Sequence, residues 1–241
     1  MSNPKILLTG SRGWLAGEIG PYLASAFIII GWDKKDGQDI FAIDDLAEAM
    51  RGCLAVVHLA GLRGPDCDTE DLDGRPVKHS DYHRINYGGT EAVIKAAKKA
   101  GVKRIIFISS GAVYGTKYFP KDNLPGDKEV AMETRLGYIV QEFETPISDS
   151  SPYPDHLHPY AQCKLDTEKL LEKEAKNGLS AISLRINGID ASSGFWSTSS
   201  QNVARAIELA IKSNIKGFER FNIADKHCRV NVSRAVEMLG Y

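Results

Sequence analysis

Residues Lys5–Gly17 read KILLTGSRGWLAG, and this stretch decides the fold. Ile6-Leu7-Leu8 is a short apolar run that stops at Thr9-Gly10, and Gly13 and Gly17 follow. A strand, a glycine turn and a helix in that order make an anion site. The glycines let backbone N–H groups come close, and the helix N-terminus adds partial positive charge. The next apolar run, Phe27–Asp33, ends on a carboxylate. A carboxylate about twenty residues beyond such a loop can accept from both ribose hydroxyls of an adenosine. Loop and carboxylate together read as a dinucleotide site.

Outward from there, strand-like and helix-like stretches alternate. Lys5–Thr9 is a strand and Trp14–Ala26 a helix; Phe27–Asp33 is a strand and Asp44–Met50 a helix. Leu54–Leu59 is a strand, followed by a long helix, Asp81–Ala100, stopped by Gly101. Arg104–Ser109 is a strand, Tyr160–Lys176 a helix behind Pro159, and Ser180–Ile186 a strand. Val203–Ser213, Phe218–Ile223 and Ser233–Leu239 add helix, strand and helix. Apolar strands alternating with amphipathic helices predict an α/β fold, a doubly wound parallel sheet of Rossmann type covered on both faces. Two polar stretches break the rhythm, Leu62–Ser80 and the proline-rich insertion 115–159. Both follow strand ends, where open α/β sheets bind ligands. The expected division is a dinucleotide-binding domain over 1–190, carrying the insertion, and a small C-terminal substrate lobe over 191–241.

The chain has 241 residues, 43% hydrophobic and 25% charged, with net charge −1. That is an ordinary globular composition with no basic field for nucleic acid. The longest apolar stretch, 26–32, is too short to cross a bilayer, and MSNPKILL lacks the apolar core of a signal peptide. Cys53, Cys67, Cys163 and Cys228 form no Cys-x-x-Cys pair, so reduced thiols and a cytoplasmic location are expected. The histidines form no metal set; His156 and His158 lie in a proline-rich loop.

Ser109–Gly115, SSGAVYG, closes a strand, and Tyr160–Lys164, YAQCK, opens a helix. Tyr160 and Lys164, four apart, share one helical face. A neighbouring ammonium favours the phenolate, which makes Tyr160 a candidate general base for a hydroxyl proton.

Together these pieces resemble the extended short-chain dehydrogenase/reductase superfamily, the NAD-dependent epimerase/dehydratase group. The matching stretches are TGSRGWLAG, Asp33, QDI (38–40), VVHLAG (56–61), NYGGT (86–90), FISSGAVYG and YAQCK. The resemblance implies that Gly10, Gly13 and the N–H groups near Trp14-Leu15 hold a pyrophosphate, and that Asp33 holds the adenosine ribose. Asp39 and Ile40 would flank the adenine, and Leu59, Ala60 and Gly61 would line the cofactor. Tyr160 would be the base, with Lys164 on the nicotinamide ribose. Ser110, counted back from Tyr114-Gly115, would hydrogen-bond the reacting oxygen, and Asn86 would support the site. No metal is implied.

The chain also departs from the pattern. Ala16 replaces the third loop glycine, and Cys163 stands where serine is common. Only residues 34–38 separate Asp33 from Asp39, so the usual third strand is shortened or lost. Family dehydratases carry an Asp-Glu pair where this chain has Gly111-Ala112, which disfavours dehydration. The segment after SLRINGI (183–189) is shorter than in members that clamp a sugar nucleotide, and Asn187 sits one residue early for the usual diphosphate contact.

The expected activity is hydride transfer at a secondary hydroxyl of a sugar or nucleotide sugar, as an epimerase or a dehydrogenase. The alternative left open is a non-catalytic NAD(P)-binding regulatory protein of the same fold. Asp33 favours NAD; Arg12 between the loop glycines, with Lys34-Lys35, is the argument for NADP. A homodimer is expected through the helices at 81–100 and 160–176, with Ala92, Val93, Ala96, Ala97, Leu165, Leu170 and Leu171 as contacts. Tyr118, Phe119, Tyr138 and Phe143 on the insertion are candidates for a lid.

Overall fold

The computed structural model describes residues 3–63, 76–115, 118–120, 130–133, 138–141, 148–151, 153, 157–190, 196–226, 228 and 230–241, with backbone alone between 118 and 141. Strands β1 (Lys5–Thr9), β2 (Ile28–Trp32), β3 (Ala55–His58), β4 (Arg104–Ser110), β8 (Ser180–Ile186) and β9 (Phe218–Asn222) form one parallel sheet in the order β2-β1-β3-β4-β8-β9. Chain progression reverses between β1 and β3, the topological switch point at which such sheets bind ligands.

Side chains alternate across the sheet. Ile6, Leu8, Ala55, Val57, Ile106 and Ile182 point to one core, shared with α1 (Trp14–Leu23), α6 (Ser200–Lys212) and α7 (Ser233–Leu239). Leu7, Val56, Ile105, Phe107 and Ala181 point to the other, shared with α2 (Ile43–Met50), α4 (Gly88–Ala100) and α5 (Pro159–Ala175). Strands buried on both faces read as near-continuous apolar runs, and each fully buried Val, Leu or Ile contributes about 1.5–3 kcal/mol. The Arg104 guanidinium, from the start of β4, donates to the Ala210 and Ile211 carbonyls at 3.0 and 2.9 Å and closes the C-terminus of α6.

The usual third strand is lost, as the short spacing from Asp33 to Asp39 predicts: β2 is an edge strand, because residues 34–42 turn directly into α2 and leave no length for a further strand. Three other features differ from the sequence reading. The helix expected over 81–100 begins as a single turn, α3 (His79–Asp81), passes through a π turn at Tyr82–Tyr87, and continues as α4. The Thr90 hydroxyl takes up the Asn86 carbonyl there at 2.8 Å. The insertion carries a three-stranded antiparallel sheet, β5 (Tyr118–Pro120), β7 (Tyr138–Gln141) and β6 (Val130–Glu133), in that order. Its candidate lid aromatics, Phe143 and the side chains of Tyr118, Phe119 and Tyr138, lie outside the described residues, as does His156. The proposed dimer contacts Ala92, Val93, Ala96, Ala97, Leu165 and Leu171 are buried within this chain's own core, because the sheet and neighbouring helices already cover them.

Candidate active site

The glycine loop follows β1, Asp33 follows β2, Leu59–Gly61 follows β3, and Ser110 ends β4. All stand at the C-terminal edge of the sheet. Gly10 has φ +71°, and a Cβ there would lie 2.8 Å from the Ala60 nitrogen, so only glycine lets the loop run this close to β3. The loop tightens through Gly13 N–H to the Gly10 carbonyl at 2.9 Å. α1 then starts behind Gly13 with no side-chain cap, and Trp14 at its first position is half exposed. A helix that opens on uncapped N–H groups beside a glycine turn fits a pyrophosphate.

Asp33 is held rather than free. One carboxylate oxygen accepts the Arg12 N–H and the other the Lys35 N–H, both at 2.9 Å, while its own N–H donates to Gln38 Oε1. Each oxygen keeps a lone pair for a ribose hydroxyl. The Arg12 guanidinium turns instead to Asp36, at 3.6 Å, in an exposed pair. Asp39 is exposed and accepts from Phe41 N–H, and Ile40 packs against Gly89. Leu59 and Ala60 are partly buried at the end of β3. Asn86 is buried, and its amide is taken up by backbone: Oδ1 accepts Leu62 N–H at 2.7 Å and Nδ2 donates to the Leu62 carbonyl at 3.0 Å. Its support reaches the cleft through that loop.

Tyr160 and Lys164 stand one turn apart at the start of α5, whose N-terminus is capped by His158 Nδ1 accepting Tyr160 N–H at 3.2 Å. Lys164 Nζ donates to the Ile108 carbonyl at 2.8 Å, 4.7 Å from the centre of the Phe107 ring and 5.7 Å from that of Tyr160. Burial pushes the Lys164 pKa down to about 8, although the Cys163 and Glu168 charges act the other way. Ser110, two residues beyond Ile108, is nearly buried, and its Oγ accepts Ala112 N–H at 3.1 Å. The structure therefore gathers Tyr160, Lys164 and the end of β4 around one ammonium. Cys163 faces away, with its thiol on the Tyr82 carbonyl at 3.1 Å.

Gly111 is closed to any side chain: a Cβ there would lie 2.6 Å from the buried Trp196 indole, whose Nε1 is fixed on the Ile223 carbonyl at 2.8 Å. Among the described residues no group of His, Cys, Asp and Glu has the arrangement of a metal site, and no helix is long and apolar enough to cross a membrane.

Sequence reasoning passed over two buried polar residues. Arg185 on β8 is fully buried, with Nε and Nη2 on the two oxygens of Glu168 in α5 at 2.9 and 2.5 Å. His58, at the end of β3, bridges Thr9 and Thr90. Each is a polar residue inside an apolar strand, and that was the available signal.

Comparison with known proteins agrees with this architecture. The solved UDP-glucose 4-epimerase of Bifidobacterium longum, in complex with NAD+ and UDP, superposes with a TM-score of 0.73 at 18% identity, covering 98% of this chain and 92% of that one. Uronate dehydrogenase of Agrobacterium tumefaciens gives 0.72 at 19% identity, covering 100% and 84%. N-acetyl-alpha-D-glucosaminyl-diphospho-ditrans,octacis-undecaprenol 4-epimerase of Escherichia coli O157:H7 is 33% identical over 135 residues, which is 52% of this chain and 38% of that relative's length. The model of the NAD-dependent epimerase/dehydratase family matches residues 6–213, most of the chain, and the protein belongs to that family.

Proposed function

We propose that the protein catalyses NAD-dependent hydride transfer at a secondary hydroxyl of a sugar or nucleotide sugar. NAD in this cleft supplies the hydride acceptor at its nicotinamide. Tyr160 takes the hydroxyl proton, Lys164 lowers the cost of the phenolate and meets the nicotinamide ribose, and Ser110 hydrogen-bonds the reacting oxygen. Gly10, Gly13 and the N–H groups of Trp14 and Leu15 face the pyrophosphate. Asp33 takes the adenosine ribose, with Arg12 beside it, Asp39 and Ile40 at the adenine, and Leu59, Ala60 and Gly61 along the cofactor.

One observation carries this reading: the Lys164 ammonium lies between the Tyr160 ring and the end of the strand that bears Ser110. Dehydration is disfavoured, because Gly111-Ala112 offers no acid–base pair and Trp196 fills the space. Residues 187–199 alone join β8 to α6, little chain for a nucleotide clamp. That favours a dehydrogenase acting on a compact sugar over an epimerase. A homodimer remains a proposal, checked by light scattering.

The test is Tyr160→Phe assayed on a panel of free sugars, uronates and nucleotide sugars. It lowers kcat at least about a hundredfold, the scale of losing a general acid–base, with NAD affinity nearly unchanged. Full activity in the variant removes the mechanism. NADP is rejected through Asp33, since two unit charges about 4 Å apart repel by roughly 1 kcal/mol in water and more when partly buried. Wild type prefers NAD in kcat/KM, and Asp33→Ala loses much of that preference. A wild type that favours NADP overturns this assignment.

A further inference from the structure

His58 is buried at the end of β3, and the groups around it fix its chemical state. The Thr90 hydroxyl donates its one proton to the Asn86 carbonyl at 2.8 Å, so towards His58 Nε2, 3.0 Å away, it can only accept. Nε2 therefore carries the imidazole hydrogen, and Nδ1 presents a lone pair. Thr9 Oγ1, 2.7 Å from Nδ1, donates to it and itself accepts Ala60 N–H at 3.3 Å. Every donor in this chain has one acceptor. The chain begins at Ala60 and ends at Asn86, whose amide grips Leu62 at both its N–H and its carbonyl. Both ends thus return to one segment, 60–62, beside the glycine loop.

We propose that His58 is a positioning residue: as a neutral imidazole it locks the end of β1, the segment 60–62 and the π turn before α4 into one register, which sets the floor of the coenzyme cleft. The coenzyme part of this proposal rests on the function proposed above. An imidazolium would fail in the role, because its second N–H would face the Thr9 hydroxyl and deprive that proton of its acceptor. Burial first, and the nearby Lys164 ammonium second, together push the His58 pKa down to about 3. The Phe107 ring, 5.9 Å away, is a further neighbour and carries no charge.

The experiment combines imidazole nitrogen NMR, amide exchange and NAD binding on wild type, Thr9→Val, Thr90→Val, the double variant and His58→Leu. In wild type the His58 ring shows one neutral Nε2–H tautomer, unchanged from pH 5 to pH 8. Each valine variant keeps the side-chain shape, speeds exchange at the Ala60 and Leu62 amides, and weakens NAD binding about tenfold, the scale of orphaning one buried partner. The double variant loses little more than the worse single, since both act through one ring; independent structural defects would add. A ring that titrates between pH 5 and 8, an Nδ1–H tautomer, unchanged amide exchange in the variants, or additive losses each overturn the proposal. Should wild type bind no NAD, the proposed function fails, and tautomer and amide exchange still decide the role of His58. His58→Leu is read only for its own ring assignment, so a folding failure there costs nothing.

Discussion

Two cations meet at helix α5 and are held in opposite ways: Lys164, partly buried, belongs to the helix, and Arg185, fully buried on β8, reaches Glu168 one helical turn further along it. Arg185 meets Glu168 through two guanidinium nitrogens, and its Nη1 and Nη2 also reach the Tyr114 and Tyr153 hydroxyls at 2.5 and 2.6 Å. Ser183 adds a hydrogen bond to the same carboxylate at 2.8 Å. Burial alone would push the Arg185 pKa down; the hydrogen bonds and charge of Glu168 outweigh it, and the net shift is upward. Lys164 has no such carboxylate. A carbonyl and two aromatic rings surround it, and its pKa falls to about 8. The first cation is a permanent fastening of α5 to the sheet. The second is kept closer to losing its proton, which suits the role proposed for it beside the Tyr160 phenol.

The fastening gives the largest expected effect. Arg185→Met or Glu168→Gln leaves the other partner buried without its mate and destabilises by about 3–5 kcal/mol. The double replacement Arg185→Met with Glu168→Leu removes both charges and costs less than either single change. Urea unfolding at pH 7 measures all three. A double variant as unstable as the sum of the singles would mean that the surrounding tyrosines, not the pair, hold the helix.

Lys164→Met sharpens the other half. Lys164 binds its proton less tightly folded than unfolded, so between about pH 8 and its ordinary 10.5 the unfolded chain binds more protons and wild-type stability rises with pH. Below pH 8 the whole cost of burying the ammonium is present. The methionine variant is therefore more stable than wild type at pH 7, by about 1–2 kcal/mol, since it also forfeits the bond to the Ile108 carbonyl. That advantage shrinks as pH climbs through the window, while NAD binding weakens at every pH. Thermal melts from pH 7 to pH 10 check it; a constant difference would show that the lysine is not strained.

These two cations also mark what the sequence could disclose. Tyr160 and Lys164 lie four apart on one helix, and Gly10, Gly13 and Asp33 follow one another along a strand–turn–helix–strand, so spacing alone exposes them. Arg185 acts with Glu168, 17 residues away, and with Tyr114, 71 away; His58 acts with Thr9, 49 away. Such partners are set by sheet order, which no local pattern encodes. A histidine in AVVH and an arginine in SAISLRI announce only that a buried polar group needs partners, not which ones. The missing third strand was legible because length forbids it. The antiparallel sheet of the insertion was hidden by prolines that read as loop.

The smallest effect tests how far Arg185 depends on anything but its carboxylate. Tyr153 accepts from Arg185 Nη2 at 2.6 Å and from Arg220 Nη1 at 3.0 Å. In Tyr153→Phe, Arg185 Nη2 keeps one N–H on Glu168 and its other N–H loses the phenol as acceptor, at a position where the ring of residue 153 is itself partly exposed. Arg220 is partly exposed, stays within 3.9 Å of Glu172, and can turn to water. The loss is then one hydrogen bond with one donor freed beside a partly exposed site, about 1 kcal/mol. The midpoint of urea unfolding moves slightly and its slope does not. A loss as large as that of Glu168→Gln would place the phenol, rather than the carboxylate, at the centre of the fastening, and the contrast between the two cations would collapse into a difference of hydrogen bonding alone.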